Sequence, residues 1–259
     1  MAAGGAGAQT SLDTFLGGRI HLLQPKKGVK CGSDAILLAS LVPASAAGRL
    51  VDLGTGNGGV AFAAAVRAPG LTVIGVEQDG AALALARASL ALAANAAFAD
   101  RVRLVEADIA DVSSEDAGEA AIVLMNPPYY AHGTGRRSPD PSRDAARALG
   151  PEGLAPWFEA ARRLLRRHGM LGVILPPARL GEALALATPA FGGVRLYPIL
   201  SRVGRPALRV VLAMTLGRRT PLTLMPPLVM HGPGDGFSPE AERLVAGEAT
   251  LDAVVGRGD

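Results

Sequence analysis

From Arg49 to Met125 the chain repeats one unit: a short apolar run, a turn bearing glycine or an acid, then a stretch rich in alanine and leucine with helical spacing. Strands are expected at Arg49–Leu53, Leu71–Val76, Arg101–Val105 and Ala121–Met125, with helices over Val60–Arg67 and Gly80–Ala94. Alternation of this kind produces a parallel sheet covered by helices on both faces. After a long aperiodic segment, Tyr130–Gly150, the rhythm resumes with a helix over Pro151–His168, a strand at Met170–Leu175 and a helix at Leu180–Ala187. The last two strands, Val194–Leu200 and Leu208–Leu216, are separated only by Ser201–Pro206, too short for a crossover helix, so they form an antiparallel hairpin at one sheet edge. The prolines at 221, 226, 227, 233 and 239 argue against a second sheet, and a short terminal helix is expected around Glu240–Gly247.

Ahead of this core, Arg19–Gln24 alternates as a strand, and Lys27-Gly28 offers a turn that would bring it back through Val29–Cys31 as a hairpin. Ser33 or Asp34 then caps a helix over Ala35–Leu41. The expected organisation is a disordered start over 1–14 and one domain over 15–259, made of the hairpin and helix at 15–48, a core at 49–219 and a tail at 220–259. With 259 residues, 49% of them hydrophobic, the chain can bury one large core. No apolar run reaches the ~20 residues of a membrane span, and the first residues lack the basic and apolar regions of a signal peptide, so a cytoplasmic protein with no membrane partner is expected. The single cysteine, Cys31, excludes an internal disulfide and a cysteine-based zinc site, and no metal is expected.

Gly54, Gly56 and Gly59 satisfy G-x-G-x-x-G after a strand, with Glu77 about 20 residues further on. Glycine lets the backbone turn sharply and approach a ligand, and an acid at the next strand end accepts hydrogen bonds from a ribose diol. Nicotinamide dinucleotides and S-adenosylmethionine both present that diol. The rest of the sheet separates them, because a dinucleotide enzyme needs a second mononucleotide half, and here the fourth strand runs into Asn126-Pro127-Pro128-Tyr129. S-adenosylmethionine is therefore the expected cofactor. Asp52 would hold the loop amides or face the cofactor's cationic amino group, and Asp108 would receive its adenine amino group.

The Asn-Pro-Pro-Tyr stretch concentrates residues that are rare in this chain. An exocyclic amino group on adenine is a poor nucleophile because its lone pair is delocalised into the ring. The Asn126 side-chain oxygen and the Pro127 carbonyl can accept both amino hydrogens and aim that lone pair at a sulfonium methyl. The prolines fix the backbone and remove competing N–H donors. Tyr129 offers a flat face for the base, worth about 1–3 kcal/mol in single-stranded recognition, and Tyr130 either walls the pocket or packs.

These motifs resemble those of the tRNA1(Val) adenine-N6 methyltransferase family. The resemblance runs from about Phe15 and includes Gly17–Gln24, Gly32–Leu38, Val51–Gly56, Glu77, Ala107-Asp108, Asn126–Tyr130, Arg205–Val211 and Asp235–Glu240. It implies a Rossmann-like class I methyltransferase fold: a mostly parallel seven-stranded sheet with an antiparallel C-terminal strand and a short N-terminal β-hairpin. It also implies transfer to N6 of an adenine in a tRNA anticodon loop, with Ser33 and Asp34 over the cofactor pocket and Gln24 nearby. Net charge is +3, and the lysines at 26, 27 and 30 with Arg136 and Arg137 would hold flanking phosphates of the tRNA partner. The arginines at 162, 163, 166 and 167 show ordinary amphipathic spacing and read as a solvated helix face. Glutamine methylation, guanine-N2 methylation of ribosomal RNA and a non-catalytic RNA-binding module are the rivals; the first is disfavoured by having only about fifty residues before Asp52.

Overall fold

A computed structural model describes residues 10–27, 30–113, 118–128, 130–131, 148–150 and 152–256. The N-terminal hairpin pairs β1 (Thr10–Phe15) with β2 (Ile20–Pro25), in register Thr10 to Pro25 and Phe15 to Ile20. This corrects two expectations. Residues 10–14 are not a disordered lead but a strand, and β2 pairs with the segment before it; Gly28 and Val29 of the expected return lie outside the described residues. The turn is Leu16–Arg19, where Leu16, Gly17 and Gly18 all have positive φ. Leu16 and Ile20 are buried there, so the turn is anchored by apolar contacts.

The core follows as α1 (Ser33–Ala39), β3 (Ala47–Leu53), α2 (Gly59–Arg67), β4 (Gly70–Glu77), α3 (Gly80–Leu90), α4 (Ala96–Ala99), β5 (Val102–Glu106) and β6 (Ala120–Met125). Two short strands, β7 (Tyr130–Ala131) and β8 (Ala148–Leu149), pair in parallel. Then come α5 (Ala155–Leu164), β9 (Leu165–Leu175), α6 (Leu180–Ala187), β10 (Phe191–Leu200) and β11 (Ala207–Leu216). The sheet order is β10-β11-β9-β6-β3-β4-β5, with β11 antiparallel to both neighbours. The proline-rich tail adds no second sheet; its two-residue strands β12 (Thr223–Leu224) and β13 (Leu228–Val229) extend the same one alongside β10. The terminal helix is two, α7 (Pro239–Val245) and α8 (Leu251–Val255).

One boundary moved for an instructive reason. The expected helix to His168 stops at Leu164, and Arg166 and Arg167 lie exposed on β9. His168 has φ +61, and the β6–β9 register slips between Ala120 and Ile122, so the strand enters through an irregular start that charge spacing disguised as a helix turn. Arg163 is exposed, as expected of a solvated face, and also donates to the carbonyls of Ile109, Ala110 and Val112.

Strand β3 shows how the sheet divides two apolar layers. Leu50 joins the layer of α1, α2 and the C-terminal helices, whereas Val51 and Leu53 join the layer of α5 and α6. Helix α2 is buried over almost its whole length, which its alanines permit, since a helix apolar all round belongs inside. Buried Arg67 donates to Ala249 O, and Arg19 donates to Ala246 O at 2.7 Å, holding the tail over this layer. No single helix among the described residues is long and apolar enough to cross a membrane.

Candidate active site

Strands β4, β3 and β6 end level with one another, with Leu53 opposite both Val76 and Met125. The chain leaves β3 toward β4 and β5 on one side and returns to β6 on the other, so a crevice opens where strand order reverses. The loop from Gly54 to Gly58 lines it. Gly54 has φ +68, and a Cβ there would stand 2.6 Å from the Trp157 ring, so both backbone and packing demand glycine. Gly56 has φ +57 but nothing within 4 Å of where its Cβ would be, so the loop backbone borders open space. Trp157, on the first turn of α5, was not singled out from the sequence. Its signal was that it is the chain's only tryptophan, placed early in the helix after the motif.

Glu77 is fixed by the loop it faces. Its Oε2 accepts from Gly56 N at 2.8 Å and its Oε1 from Asp79 N at 2.9 Å, while Thr55 N donates to Val76 O. Asp52 lies on the α2 side of β3 and is buried. Its Oδ2 accepts from Thr55 Oγ1 at 2.6 Å and Ala61 N at 3.1 Å, yet its Oδ1 has no partner among the described residues. Burial pushes its carboxyl up to about 7, against the pull of those two hydrogen bonds and with a small push from Glu77.

The N-terminal hairpin reaches the loop through a buried amide. Gln24 Nε2 donates to Asp13 Oδ2 at 2.6 Å, and Gln24 Oε1 accepts from Cys31 N at 2.6 Å and from Asn57 Nδ2 at 3.3 Å. A Cβ on Gly59 would fall 2.2 Å from Cys31 Sγ, so the segment before α1 is pressed against the start of α2. Burial, then the nearby Asp52, Asp34 and Asp13, raises the Cys31 thiol to about 12, in keeping with an inert side chain. Ser33 is exposed at the start of α1, and Asp34 pairs with Arg209 of β11 at 2.9 Å. Asp108 is exposed and accepts from Ala110 N at 2.8 Å, closing its own turn.

Asn126 and Pro127 follow β6 directly, one step beyond the Leu53–Met125 pair, and Pro127 is buried. Tyr129, Arg136 and Arg137 lie outside the described residues, as does the side chain of Tyr130. Lys26 and Lys27 emerge exposed from the end of β2, and exposed Lys30 donates to Ser11 Oγ at 3.4 Å. Among the described residues no cluster of histidine, cysteine or acidic side chains suits a metal ion. The crevice therefore offers a buried carboxylate oxygen with no partner among the described residues, a fixed acid at the next strand end and a glycine with open space where a side chain would stand. Those three features fit the amino, ribose and backbone-contact needs of S-adenosylmethionine.

Comparison with known proteins bears on this crevice. The methyltransferase small domain matches residues 26–176. The tRNA1(Val) (adenine(37)-N6)-methyltransferase of Actinobacillus succinogenes is 32% identical over 75% of this chain and 80% of its own. The protein of the same name from Aeromonas salmonicida is 30% identical over 85% and 90%. A solved structure described as a predicted O-methyltransferase from Agrobacterium tumefaciens is 32% identical, with TM-score 0.71 over 84% of this chain and 97% of that one.

Proposed function

This chain belongs to the methyltransferase small domain family and, within it, to the tRNA1(Val) (adenine(37)-N6)-methyltransferases, and on that premise we propose that it methylates N6 of an adenine in the anticodon loop of a tRNA, in the cytoplasm. Its cofactor is S-adenosylmethionine. The observation that carries the reading is the shared strand end: Asn126 leaves β6 beside the glycine loop that leaves β3, with Glu77 bonded into that loop.

When bound, S-adenosylmethionine supplies an electrophilic methyl on sulfur, which the adenine nitrogen takes as the sulfide departs and the amine sheds a proton. Asn126 Oδ1 and the Pro127 carbonyl accept the two amino hydrogens and orient the lone pair, a positioning effect of the kind worth roughly 7–11 kcal/mol. Tyr129 stacks on the base and Tyr130 forms a wall beside it. Glu77 accepts from the cofactor's ribose diol, Asp108 from its adenine amino group, and Asp52 faces its cationic amino group. Gln24 acts through Asn57 as a positioning residue, while Ser33 and Asp34 close the pocket from above. Lys26, Lys27 and Lys30, with Arg136 and Arg137, hold the phosphates flanking a target base that has been turned out of its stack.

The Agrobacterium relative's description raises an oxygen acceptor as a second reading. A hydroxyl has one hydrogen to donate, whereas Asn126 and Pro127 offer two acceptors, which suits an amino group. Replacing Asn126 by Ala is expected to lower transfer to tRNA by roughly 10²–10³-fold, the scale of losing one aligned group at a reacting centre, with cofactor affinity held within about threefold. Turnover near that of the unaltered chain would reject the assignment.

A further inference from the structure

The sheet carries a second basic feature on the crevice's rim, away from the lysines of the N-terminal hairpin. Because β10 runs parallel to β6 and β9, the turn after it, Ser201–Pro206, emerges at the same edge as Asn126. Register places it. Met125 pairs with Val173, Val173 with Leu212 and Leu212 with Leu196, so Ser201 lies about four residues beyond the level of Asn126, on the order of 13 Å. Strand β10 is three places from β6, about 15 Å sideways. The turn therefore stands as a wall above the strand ends, to one side of the crevice.

The wall is built as one piece with the 231–237 loop. After β13 the loop continues along β10, Met230 N donating to Leu200 O and His231 N to Ser201 O. Arg202 ties turn to loop, donating to the carbonyls of Gly232 and Gly234 at 2.7 Å each and pairing with Asp235 at 3.6 Å. Ser238 Oγ donates to Val229 O and accepts from Ala241 N, fixing the loop's exit. On this frame His231 and Phe237 stack, with centroids 5.2 Å apart and an interplanar angle of 15°. Phe237 remains 39% exposed despite that partner. Arg205 is exposed, and its guanidinium has no partner among the described residues. Between the two arginines, exposed Val203 adds a small apolar tip.

A held aromatic face on the loop and, on the turn bonded to that loop, a guanidinium with no partner among the described residues have the chemistry of single-stranded RNA recognition: stacking plus a phosphate contact. We propose that the Ser201–Pro206 turn and the His231–Phe237 loop form a second RNA-binding arm, in which Phe237 on His231 stacks an unpaired base of the tRNA and Arg205 holds a neighbouring phosphate. The proposal rests on the tRNA reading above. It makes the RNA bridge the crevice, between the lysines after β2 and the arm beyond β10.

The test compares Phe237→Ala, Phe237→Tyr and Arg205→Glu with the unaltered full chain, measuring tRNA affinity at two salt concentrations, cofactor affinity, oligomeric state and steady-state transfer. Phe237→Ala is expected to weaken tRNA binding about tenfold or more and Phe237→Tyr to restore it, because any flat ring stacks. Arg205→Glu, in an exposed turn that does not threaten folding, is expected to weaken binding several-fold and make its salt dependence shallower. All three should keep cofactor affinity, and turnover at saturating tRNA, within about twofold, since the arm touches no reacting atom. If Phe237→Ala and Arg205→Glu bind tRNA within twofold of the unaltered chain, or if Phe237→Ala changes only self-association, the arm is overturned while the tRNA reading stands. If the unaltered chain neither binds nor methylates tRNA, both fall together.

Discussion

The crevice floor and the crevice rim are built on opposite terms. On the floor, loop 54–59 has its conformation dictated by left-handed glycines, its Gly56 amide spent on Glu77, and its neighbours buried: Asp52, Phe62 and Gln24. On the rim, Lys26, Lys27, Lys30 and Arg205 stand exposed on hairpin ends. The difference follows from what each meets. A small cofactor of fixed shape rewards a preformed cradle, because little ordering is left to do on binding. A polyanion rewards charges that keep their reach, and its affinity comes with a salt dependence that a buried cradle lacks.

That contrast can be broken most severely at the floor. Replacing Glu77 by Ala removes the acid proposed to accept from the ribose and strands the Gly56 amide; with charged hydrogen bonds worth about 1.5–3 kcal/mol each, cofactor affinity should fall about a hundredfold in titration calorimetry. A change under threefold would mean that Glu77 serves only the loop. Charge reversal of Lys26, Lys27 and Lys30 together should do the opposite, costing tenfold or more in tRNA affinity at low salt and flattening the salt dependence, with cofactor affinity intact. Should both tRNA properties stay unchanged, the N-terminal hairpin lies off the RNA path.

Asp52 sharpens the comparison through pH. Its folded-state value near 7 is above that of an unfolded aspartate, so the folded chain holds the proton longer and loses stability as pH rises from about 4 to about 7, with no further loss above. A cation bound beside it needs the carboxylate, so cofactor affinity should drop about fivefold as pH is lowered from 7 to 6 and about tenfold per further pH unit below. Asp52→Asn is expected to abolish that pH dependence, weaken binding at pH 8 and raise the melting temperature there. A variant that binds as tightly as the parent at pH 8 would remove Asp52 from cofactor recognition. The smallest effect is expected for Tyr129→Phe, which keeps transfer within about threefold because stacking survives, whereas Tyr129→Ala loses it, and equal rates in all three would leave stacking unsupported.

Much of the floor was legible in the sequence because it is local. Apolar runs, Gly54-x-Gly56 and Glu77 sit at spacings that a strand–loop–helix unit enforces, and the structure joins Glu77 to Gly56 by a direct hydrogen bond. What the sequence concealed was pairing between distant segments. Strand β1 is rich in Thr, Ser and Asp, so its alternation is faint, and β2 had a glycine turn available on either side. Trp157 meets Gly54 only after a hundred intervening residues fold, and exposed Arg163 also finds carbonyls of the turn after Asp108. The His231–Phe237 stack likewise sits in a loop that Arg202, thirty residues upstream, helps to close.

The central claim is the acceptor. The direct measurement is to incubate the chain with methyl-labelled S-adenosylmethionine and, separately, total tRNA, ribosomal RNA and protein extract, then hydrolyse and separate the labelled products, with Asn126→Ala in parallel. The account predicts label in N6-methyladenosine from tRNA, lost in the variant. Label in N2-methylguanosine, in methylglutamine or on a hydroxyl, with none in tRNA adenine, would contradict it.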